Sequence, residues 1–330
     1  IALSVIHLLI DDEDGFTKKD KNFALSVMLG IAFSANSGGI ATVIGTPPNS
    51  VLIGLLENEY QIEISFLRWM TIGLPLSLIL ISICYVVLVK WMFPCKGLEF
   101  GASRSVIREE LQKLGPPSPR EKMVLSIFGV TVFLWVFRPL INRWVPGLDL
   151  SDAGISMIGA ISLFALPYNL KRGEFILTWK DTTRLAWGIL ILFGGGLALA
   201  RGMSSSGLVD LVSGTIANAE ISMLFSAFLL IALMLFMTEL MSNVALVTIL
   251  VPLVVGIAIG LDAPILQMVI PVTLASSCAF MLPMATPPNA IVFASGHVRV
   301  HQMARIGVVL NVLAVLLLIV LGKYLVPLLF

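Results

Sequence analysis

The sequence predicts an all-α polytopic membrane protein, on three observations. Hydrophobic residues make up 58% of the chain and charged residues 12%, whereas soluble domains are roughly 45–50% apolar and 25% charged. Several apolar stretches are long enough to cross a bilayer, which takes about 20 residues. Two of them lead directly into the same helix-breaking tetrapeptide, Thr-Pro-Pro-Asn, at 46–49 and 286–289. Interrupted as well as continuous transmembrane helices are therefore expected.

The apolar stretches alternate across the membrane, with one exception. The stretches expected to cross once are residues 23–44, 66–93, 123–144, 153–170, 185–200, 264–284 and 303–330. The connections expected in the cytoplasm by the positive-inside rule, because lysine and arginine gather there, are 11–22, 95–122, 171–184 and 297–305. The stretch 221–259 is too long for one span, so the alternation closes only if it enters and leaves on the outer side. It is predicted to be a re-entrant hairpin with its tip around Ser242 and Asn243.

Each Thr-Pro-Pro-Asn motif is expected to interrupt a helix at membrane depth. A Pro-Pro pair removes two backbone donors and disfavours helix in the residue before it. A helix ending at Gly45 leaves carbonyl groups free, and one restarting after Asn49 leaves amide groups free, so protein or a water-filled cavity must surround them. Such carbonyls suit a hard cation such as sodium, and helix N-termini suit an anion. Asn49 and Asn289 are expected to cap the restarted helices.

The two motifs also predict an internal repeat. They lie 240 positions apart, and at the same offset Ser37 corresponds to Ser277 and Gly45 to Ala285. In the predicted topology the first interrupted helix leaves the cytoplasm, while the second returns to it. The two halves are therefore predicted to be inverted repeats, which in transporters meet at a binding site near the membrane midplane.

Polar residues at the predicted hairpin tip are candidates for the other wall of such a site. Ser242 and Asn243 offer a hydroxyl and an amide, which are neutral ligands for sodium and donors for a carboxylate. The alternative is that they pack one helix against another. Glu239 is an ionisable residue within an apolar run, and either a functional role or a neutral, hydrogen-bonded structural role fits it.

Other classes of function find no support in the sequence. The net charge is +1 and no basic run with interleaved aromatic residues occurs, so nucleic-acid binding is not indicated. The sequence contains no GxSxG or HExxH motif, so the chain is predicted not to be an enzyme. Cys84, Cys95 and Cys278 have no metal-binding spacing and are expected to be free thiols.

The paired Thr-Pro-Pro-Asn loops and the Ser-Asn dipeptide at a hairpin tip resemble the divalent anion:sodium symporter family. The resemblance extends over essentially the whole chain. It implies a fold of the ion transporter superfamily with an elevator-type mechanism, a homodimer in the cell membrane, and two hairpin tips that each face one Thr-Pro-Pro-Asn loop. It also implies co-transported sodium ions and a small anionic substrate held between the tips.

The resemblance also implies roles for individual residues. Sodium at the second repeat would be bound by Ser242, Asn243, Ala285 and Thr238, and Gly45 would belong to the sodium site of the first repeat. The anion would contact Asn243, Val244, Pro47, Pro287, Thr46 and Thr286. Val244 stands where the family has a threonine, which leaves the identity of the anion open. The tip facing Gly45 would lie before residue 1, so the chain is expected to be the later part of a longer protein.

The implied organisation has four parts. Residues 1–63 would hold the end of the first hairpin and the first broken helix, 64–184 scaffold helices and cytoplasmic loops, 185–300 the second hairpin and second broken helix, and 301–330 the last transmembrane helix. The implied function is a secondary active symporter that couples sodium influx to uptake of a divalent anion, first of all a C4-dicarboxylate. A carrier of sulfate or another oxyanion, and a sodium-independent dicarboxylate exchanger, are the alternatives.

Overall fold

The computed structural model describes residues 6, 18–94, 108, 112, 115–145, 147–169, 173–184, 187–217 and 222–330. Helices dominate these residues, which confirms the all-α prediction. Cys95 lies outside the described residues. The elements in chain order are α1 (Lys18–Gly39), α2 (Pro47–Tyr60), α3 (Phe66–Tyr85), α4 (Pro119–Trp144), α5 (Asp152–Ala165), β1 (Pro167–Asn169), β2 (Glu174–Phe175), a 3₁₀ turn (Trp179–Arg184), α6 (Trp187–Ser205), α7 (Leu208–Ala217), α8 (Met223–Thr238), α9 (Asn243–Gly260), α10 (Ile265–Ala275), α11 (Pro287–Ala294), α12 (Val300–Val320) and α13 (Val326–Leu329).

The chain forms two compact units. The first comprises Ile1–Ile64, Arg68–Ser103 and Ile189–Phe330, and the second comprises Ser65–Leu67 and Arg104–Gly188. Both Thr-Pro-Pro-Asn motifs and the predicted hairpin belong to the first unit. The four-part organisation predicted from the sequence remains a prediction, although its boundary at residue 184 lies close to the end of the second unit.

Four described helical segments are long and apolar enough to cross a membrane: Phe66–Met92, Pro119–Trp144, Asn243–Gly260 and Val300–Leu329. The first and the last continue beyond α3 and α12 as π-helical turns. Shorter apolar helices are Asp152–Ala165, Met223–Thr238 and Ile265–Ala275. The predicted hairpin is present as α8 and α9 joined by residues 239–242, and its re-entry from one side of a membrane remains a prediction.

Three predicted helical stretches differ from the structure. The helix predicted over 23–44 runs from Lys18 to Gly39, so the first helix does not continue to Gly45. The stretch 264–284 is helical only over Ile265–Ala275. The stretch 153–170 ends its helix at Ala165, because Pro167 disfavours helix in the residue before it and begins a short strand pair instead. Hydropathy located apolar segments but did not reveal where the backbone leaves the helix.

The core of the first unit surrounds α10. Every residue from Met268 to Ala275 is buried, and α10 packs against α8, α9, α12 and α2. A helix that is apolar on all sides is stable only when neighbours cover all of it. Phe280, just after α10, packs edge to face on Phe33 of α1 with ring centroids 5.2 Å apart. The non-helical segment after α10 is thus part of the core.

The second unit is built on the packing of α4 against α5. The Trp135 indole N–H donates to the Asp152 carbonyl oxygen at 3.1 Å, and the Asp152 carboxylate accepts the Phe66 backbone N–H at 2.9 Å. Phe66 and Trp135 stack with centroids 4.9 Å apart. Asp152 therefore joins three segments of this unit at one point.

Candidate functional site

The candidate site is built from two helix breaks that share one design. The first break separates α1, which ends at Gly39, from α2, which begins at Pro47. The second separates α10, which ends at Ala275, from α11, which begins at Pro287. Both restarted helices have proline at their first two positions, where a missing N–H costs no helical hydrogen bond. The motif therefore marks the start of the second helix rather than the end of the first.

The N-cap residues of the restarted helices are threonines, so the N-cap role predicted for Asn49 and Asn289 is wrong. Thr46 and Thr286 have extended backbones, with φ −146° and −143°, and Thr286 Oγ1 accepts the Asn289 backbone N–H at 3.4 Å. Both asparagines lie at the third helical position, which is past the cap. From there their side chains reach back to the preceding break.

The two asparagines bind carbonyl groups that the interrupted helices leave free. Asn49 Nδ2 donates to the Thr42 carbonyl at 2.9 Å and lies 3.5 Å from that of Gly39. Asn289 Nδ2 donates to the carbonyls of Ala279 and Leu282, both at 3.1 Å. The acceptors of the second break follow those of the first at the same offset of 240 positions. Both asparagines are fully buried, so these bonds replace water at the breaks.

A cavity of about 430 Å³ lies where the two breaks meet the tip between α8 and α9. The predicted site residues that line it are Gly45, Thr46, Pro47, Ser242, Asn243, Val244, Ala285, Thr286 and Pro287. The further lining residues are Ala35, Asn36, Gly39, Pro48, Ser277 and Pro288. The structure thus brings nine sequence-predicted residues, drawn from three separate stretches of the chain, to one cavity.

Thr238, the remaining predicted sodium ligand, lies behind the cavity wall. Its hydroxyl is fully buried and lies within hydrogen-bond distance of Asn243 Oδ1 and 3.1 Å from the Ser276 carbonyl oxygen. Ser242, the N-cap residue of α9, is exposed and lines the cavity. Thr238, Ser242 and Asn243 therefore present hydroxyl and amide oxygens next to the second break, and oxygen ligands of this kind suit a hard cation.

The side chains that line the cavity are uncharged, but the helix dipoles that point into it give it a positive potential. None of the lining residues is charged. Three helices begin at it, with first residues Pro47, Asn243 and Pro287. A helix N-terminus carries a partial positive charge equivalent to about half an elementary charge. The lining therefore favours an anion, beside oxygen atoms of the kind that bind hard cations, without the use of lysine or arginine.

Two of the cavity residues outside the predicted set, Asn36 and Ser277, have polar side chains. Asn36 of α1 is buried, and its Nδ2 donates to the Ala279 carbonyl at 3.3 Å and to Asn289 Oδ1 at 3.1 Å. Ser277 is buried with no hydrogen-bond partner for its hydroxyl among the described residues. Asn36 could have been identified from the sequence, because it is an asparagine within an apolar helix shortly before a break. Ser277 was noted only as the repeat partner of Ser37.

Glycines bring two further helices against the break loops. A Cβ atom on Gly73 of α3 would lie 2.6 Å from the Ile40 carbonyl oxygen, and one on Gly307 of α12 would lie 2.4 Å from that of Phe280. The Trp69 indole N–H also donates to Ile40 O at 3.1 Å. These backbones support both loops from behind, and a larger residue at either glycine would displace the loop.

Glu239 occupies the tip between α8 and α9, and its side chain is buried. Its two carboxylate oxygens accept the backbone N–H groups of Met281 and Leu282, each at 2.9 Å. Asn311 Nδ2 of α12 donates to the same carboxylate at 2.8 Å. The sequence left the role of this residue open, and the structure places it between the tip and the second break.

Comparison with known proteins accords with this arrangement. The sequence profile described as the sodium:sulfate symporter transmembrane region matches residues 1–330. The chain belongs to the sodium:sulfate symporter family. This confirms the resemblance that the paired Thr-Pro-Pro-Asn loops and the Ser-Asn tip indicated.

Similar proteins occur in staphylococci. The sodium-dependent dicarboxylate transporter SdcS of Staphylococcus saprophyticus is 33% identical over 332 residues, which cover 99% of this chain. SdcS of Staphylococcus aureus strain USA300 is 33% identical over 334 residues, again 99% of this chain. The chain spans 64% of the length of each of these relatives.

Membership of this family defines the class of the chain. The matched region is a transmembrane region, and the described part of the chain holds four helices able to cross a bilayer. The chain is therefore a multi-pass protein of the cell membrane. Its family consists of symporters, in agreement with the prediction that the chain is not an enzyme.

Proposed function

We propose that the protein is a secondary active symporter that couples sodium influx to the uptake of a divalent anion, first of all a C4-dicarboxylate. The observation that carries this proposal is the cavity that both helix breaks share with the tip between α8 and α9. It combines cation-binding oxygens with helix N-termini at one place. The dicarboxylate in the names of the two staphylococcal relatives supports the choice of substrate.

Sodium is proposed to bind between the tip and the second break. Its ligands would be Ser242, Asn243 and Thr238 together with the backbone carbonyl of Ala285. Thr238 and Asn243 already lie side by side, and Ala285 lines the same cavity as Asn243. Gly45 lines the cavity from the first break and would belong to a second sodium site. Neutral oxygens suit sodium because each offers a lone pair.

The anion is proposed to bind in the same cavity, against Asn243 and Val244 on one side and the two Thr-Pro-Pro segments on the other. Thr46 and Pro47 line it from the first break, and Thr286 and Pro287 from the second. Sodium would bind before the anion, since a cation raises the potential of a site that otherwise holds only dipoles. This order makes uptake depend on sodium.

The larger assembly follows from the family resemblance. The protein is proposed to form a homodimer in the lipid bilayer, to consist of inverted repeats, and to move its transport domain against a scaffold in an elevator-type mechanism. The transport domain would hold residues 1–63 and 185–300, the scaffold would hold 64–184, and 301–330 would be the last transmembrane helix.

A carrier of sulfate is the second candidate, and one observation favours it. Val244 faces the cavity at the tip, where the family resemblance gives a threonine that would bind a substrate carboxylate. An apolar side chain at this point removes a hydroxyl donor that a long dicarboxylate would use. A compact oxyanion held mainly by helix dipoles would lose less from this change.

Uptake by the full-length protein in proteoliposomes tests the function. Labelled succinate and labelled sulfate are supplied with an inward sodium gradient or with choline at equal ionic strength. Sodium-dependent succinate uptake is expected, and Asn243→Ala is expected to abolish it in a protein that still purifies as folded. Succinate uptake that ignores sodium would rule out symport, and uptake of sulfate alone would rule out the dicarboxylate.

A further inference from the structure

Glu239 is a buried carboxylate whose described partners all donate hydrogen bonds to it. The side chain is 3% exposed. Met281 N–H and Leu282 N–H each donate at 2.9 Å, and Asn311 Nδ2 donates at 2.8 Å. Among the described residues, no lysine, arginine or histidine contacts it. Three donors satisfy an ionised carboxylate well, but they leave its negative charge without a counterion.

The hydrogen bonds of Glu239 join the tip to the turn that carries Ala285. Leu282, whose N–H binds the carboxylate, accepts the Ala285 backbone N–H at 3.3 Å and Asn289 Nδ2 at 3.1 Å through its carbonyl oxygen. A second hydrogen bond joins the same segments one residue earlier, at the end of α8, where Thr238 Oγ1 is 3.1 Å from Ser276 O. The tip and the second break are therefore one hydrogen-bonded unit with Glu239 at its centre.

The position of the charge has an electrostatic consequence. Glu239 directly follows Thr238 and lies three residues before Ser242, so the proposed sodium ligands flank it along the tip. A buried charge without a counterion is costly in a membrane protein. A cation bound at the tip would offset that cost, because Coulomb attraction persists over several ångströms where the effective dielectric constant is low.

We propose that Glu239 is a positioning residue for sodium at the second break, and this proposal rests on the sodium site of the proposed function. It is proposed not to ligate the ion, because it does not line the cavity and its oxygens face the Met281, Leu282 and Asn311 donors. It acts in two ways. It fixes the 281–285 turn so that the Ala285 carbonyl meets the ion, and it supplies a negative charge that the neutral ligands lack.

Replacement of Glu239 by glutamine tests the proposal, since Glu239→Gln keeps the shape but removes both the charge and one of the two oxygens that accept the Met281 and Leu282 N–H groups. In purified full-length protein, sodium is titrated against choline at constant ionic strength, and the rise in melting temperature gives the half-saturating sodium concentration. This concentration is expected to increase roughly tenfold. In proteoliposomes the sodium dependence of succinate uptake should shift equally, while succinate KM at saturating sodium changes little. Glu57→Gln, at an exposed glutamate of α2, is the matched control and is expected to behave as wild type.

Further variants separate charge from packing. Asn311→Leu removes one donor but keeps the carboxylate, so it is expected to raise the half-saturating sodium concentration less than Glu239→Gln does. Glu239→Asp keeps the charge on a side chain too short to reach both amides. It is expected to remain stabilised by sodium at higher concentrations than wild type.

The outcomes that overturn the proposal are specific. Sodium affinity in folded Glu239→Gln equal to that of wild type would overturn it. If that variant does not fold, unchanged sodium affinity in both Glu239→Asp and Asn311→Leu would overturn it as well. A wild-type protein that sodium stabilises but that transports no divalent anion would contradict the proposed function alone. In that case the melting-temperature comparison still decides the role of Glu239.

Discussion

Asn36 and Asn289 are hydrogen-bonded to each other, with Asn36 Nδ2 3.1 Å from Asn289 Oδ1. Asn36 lies in the helix before the first break, and Asn289 lies in the helix after the second. Asn36 also donates to the Ala279 carbonyl, which Asn289 binds as well. The two breaks are therefore linked directly by hydrogen bonds.

The isosteric variant Asn36→Asp tests this link. The substitution replaces two donor hydrogens by an acceptor that faces Asn289 Oδ1 and Ala279 O, in a buried site. We expect a loss of about 3 kcal/mol or more in the free energy of unfolding, because acceptors would oppose acceptors. Thermal unfolding in detergent measures it. Asn58→Asp is the control, since Asn58 also donates to a helix carbonyl but is exposed. Equal stability of the two variants would contradict the link.

The side-chain amide of Asn289 is expected to matter more than that of Asn49. Asn289→Ala removes a 3.1 Å donor from the carbonyls of Ala279 and Leu282 and the Oδ1 acceptor of Asn36, whereas one of the two Asn49 contacts is 3.5 Å long. Asn289→Ala should cost about 2–3 kcal/mol and Asn49→Ala about half as much. Melting temperatures of the two variants, measured in one detergent, decide the order. A larger loss in Asn49→Ala would show that the distances do not predict the cost.

The glycines behind the break loops are expected not to tolerate alanine. In Gly307→Ala the added Cβ would meet the Phe280 carbonyl oxygen at 2.4 Å, and because that contact is backbone the loop itself must move. A cost of about 1–3 kcal/mol is expected, together with weaker sodium binding, since the displaced loop carries the Met281 amide. Gly129→Ala on α4 meets nothing within 4 Å and serves as control. Wild-type sodium affinity in folded Gly307→Ala would contradict the expectation.

Gly196 is expected to hold α6 close to α9. A Cβ there would lie 2.2 Å from Thr248 Cγ2, whereas one on Gly195 meets nothing within 4 Å. Gly196→Ala should destabilise the protein by about 1–3 kcal/mol, and Gly195→Ala should leave it unchanged or slightly more stable because alanine favours helix. Thr248→Ala should restore the loss in a double-mutant cycle. Additive effects of the two substitutions would show that these residues do not interact.

Val244 is expected to influence which anion is preferred. Val244→Thr adds a hydroxyl to the cavity and thereby a donor for a substrate carboxylate. Succinate KM is expected to fall roughly threefold to tenfold, in line with a net gain of about 1 kcal/mol from one added hydrogen bond, while the sodium dependence stays unchanged. Competition between succinate and sulfate in proteoliposomes measures the shift. A shift towards sulfate would place the substrate carboxylates elsewhere.

The sequence predicted the parts of the site that local chemistry determines. Proline pairs fix where α2 and α11 begin, and alternation of the spans required a hairpin whose tip is polar. The lengths of the breaks were not predictable in this way, because residues 276–286 are largely apolar and still not helical. What permits the longer break is a set of carbonyls bound by Asn289 and Asn36, and the second of these lies more than 200 residues away.

The hydrogen-bond partners of Glu239 could not be predicted from the sequence for a related reason. Met281 and Leu282 bind it through backbone N–H groups, and every residue except proline has such a group. No side-chain pattern in the sequence marks these donors. The misassigned caps have the same origin, since an asparagine after two prolines resembles an N-cap until the fold brings earlier carbonyls within its reach.

The proline pairs at the starts of α2 and α11 also limit how an anion can be recognised. With proline at the first two positions, each helix start keeps its dipole but loses two of the N–H groups that usually point at a bound ligand. The Asn49 N–H is directed at the Thr46 carbonyl, and the Asn289 N–H at the Thr286 hydroxyl. The helix dipoles therefore attract an anion without orienting it, so its charge matters more for binding than its shape. Under the proposed function, a change of preference from one doubly charged anion to another would need only a few substitutions at the tip, with the two breaks left intact.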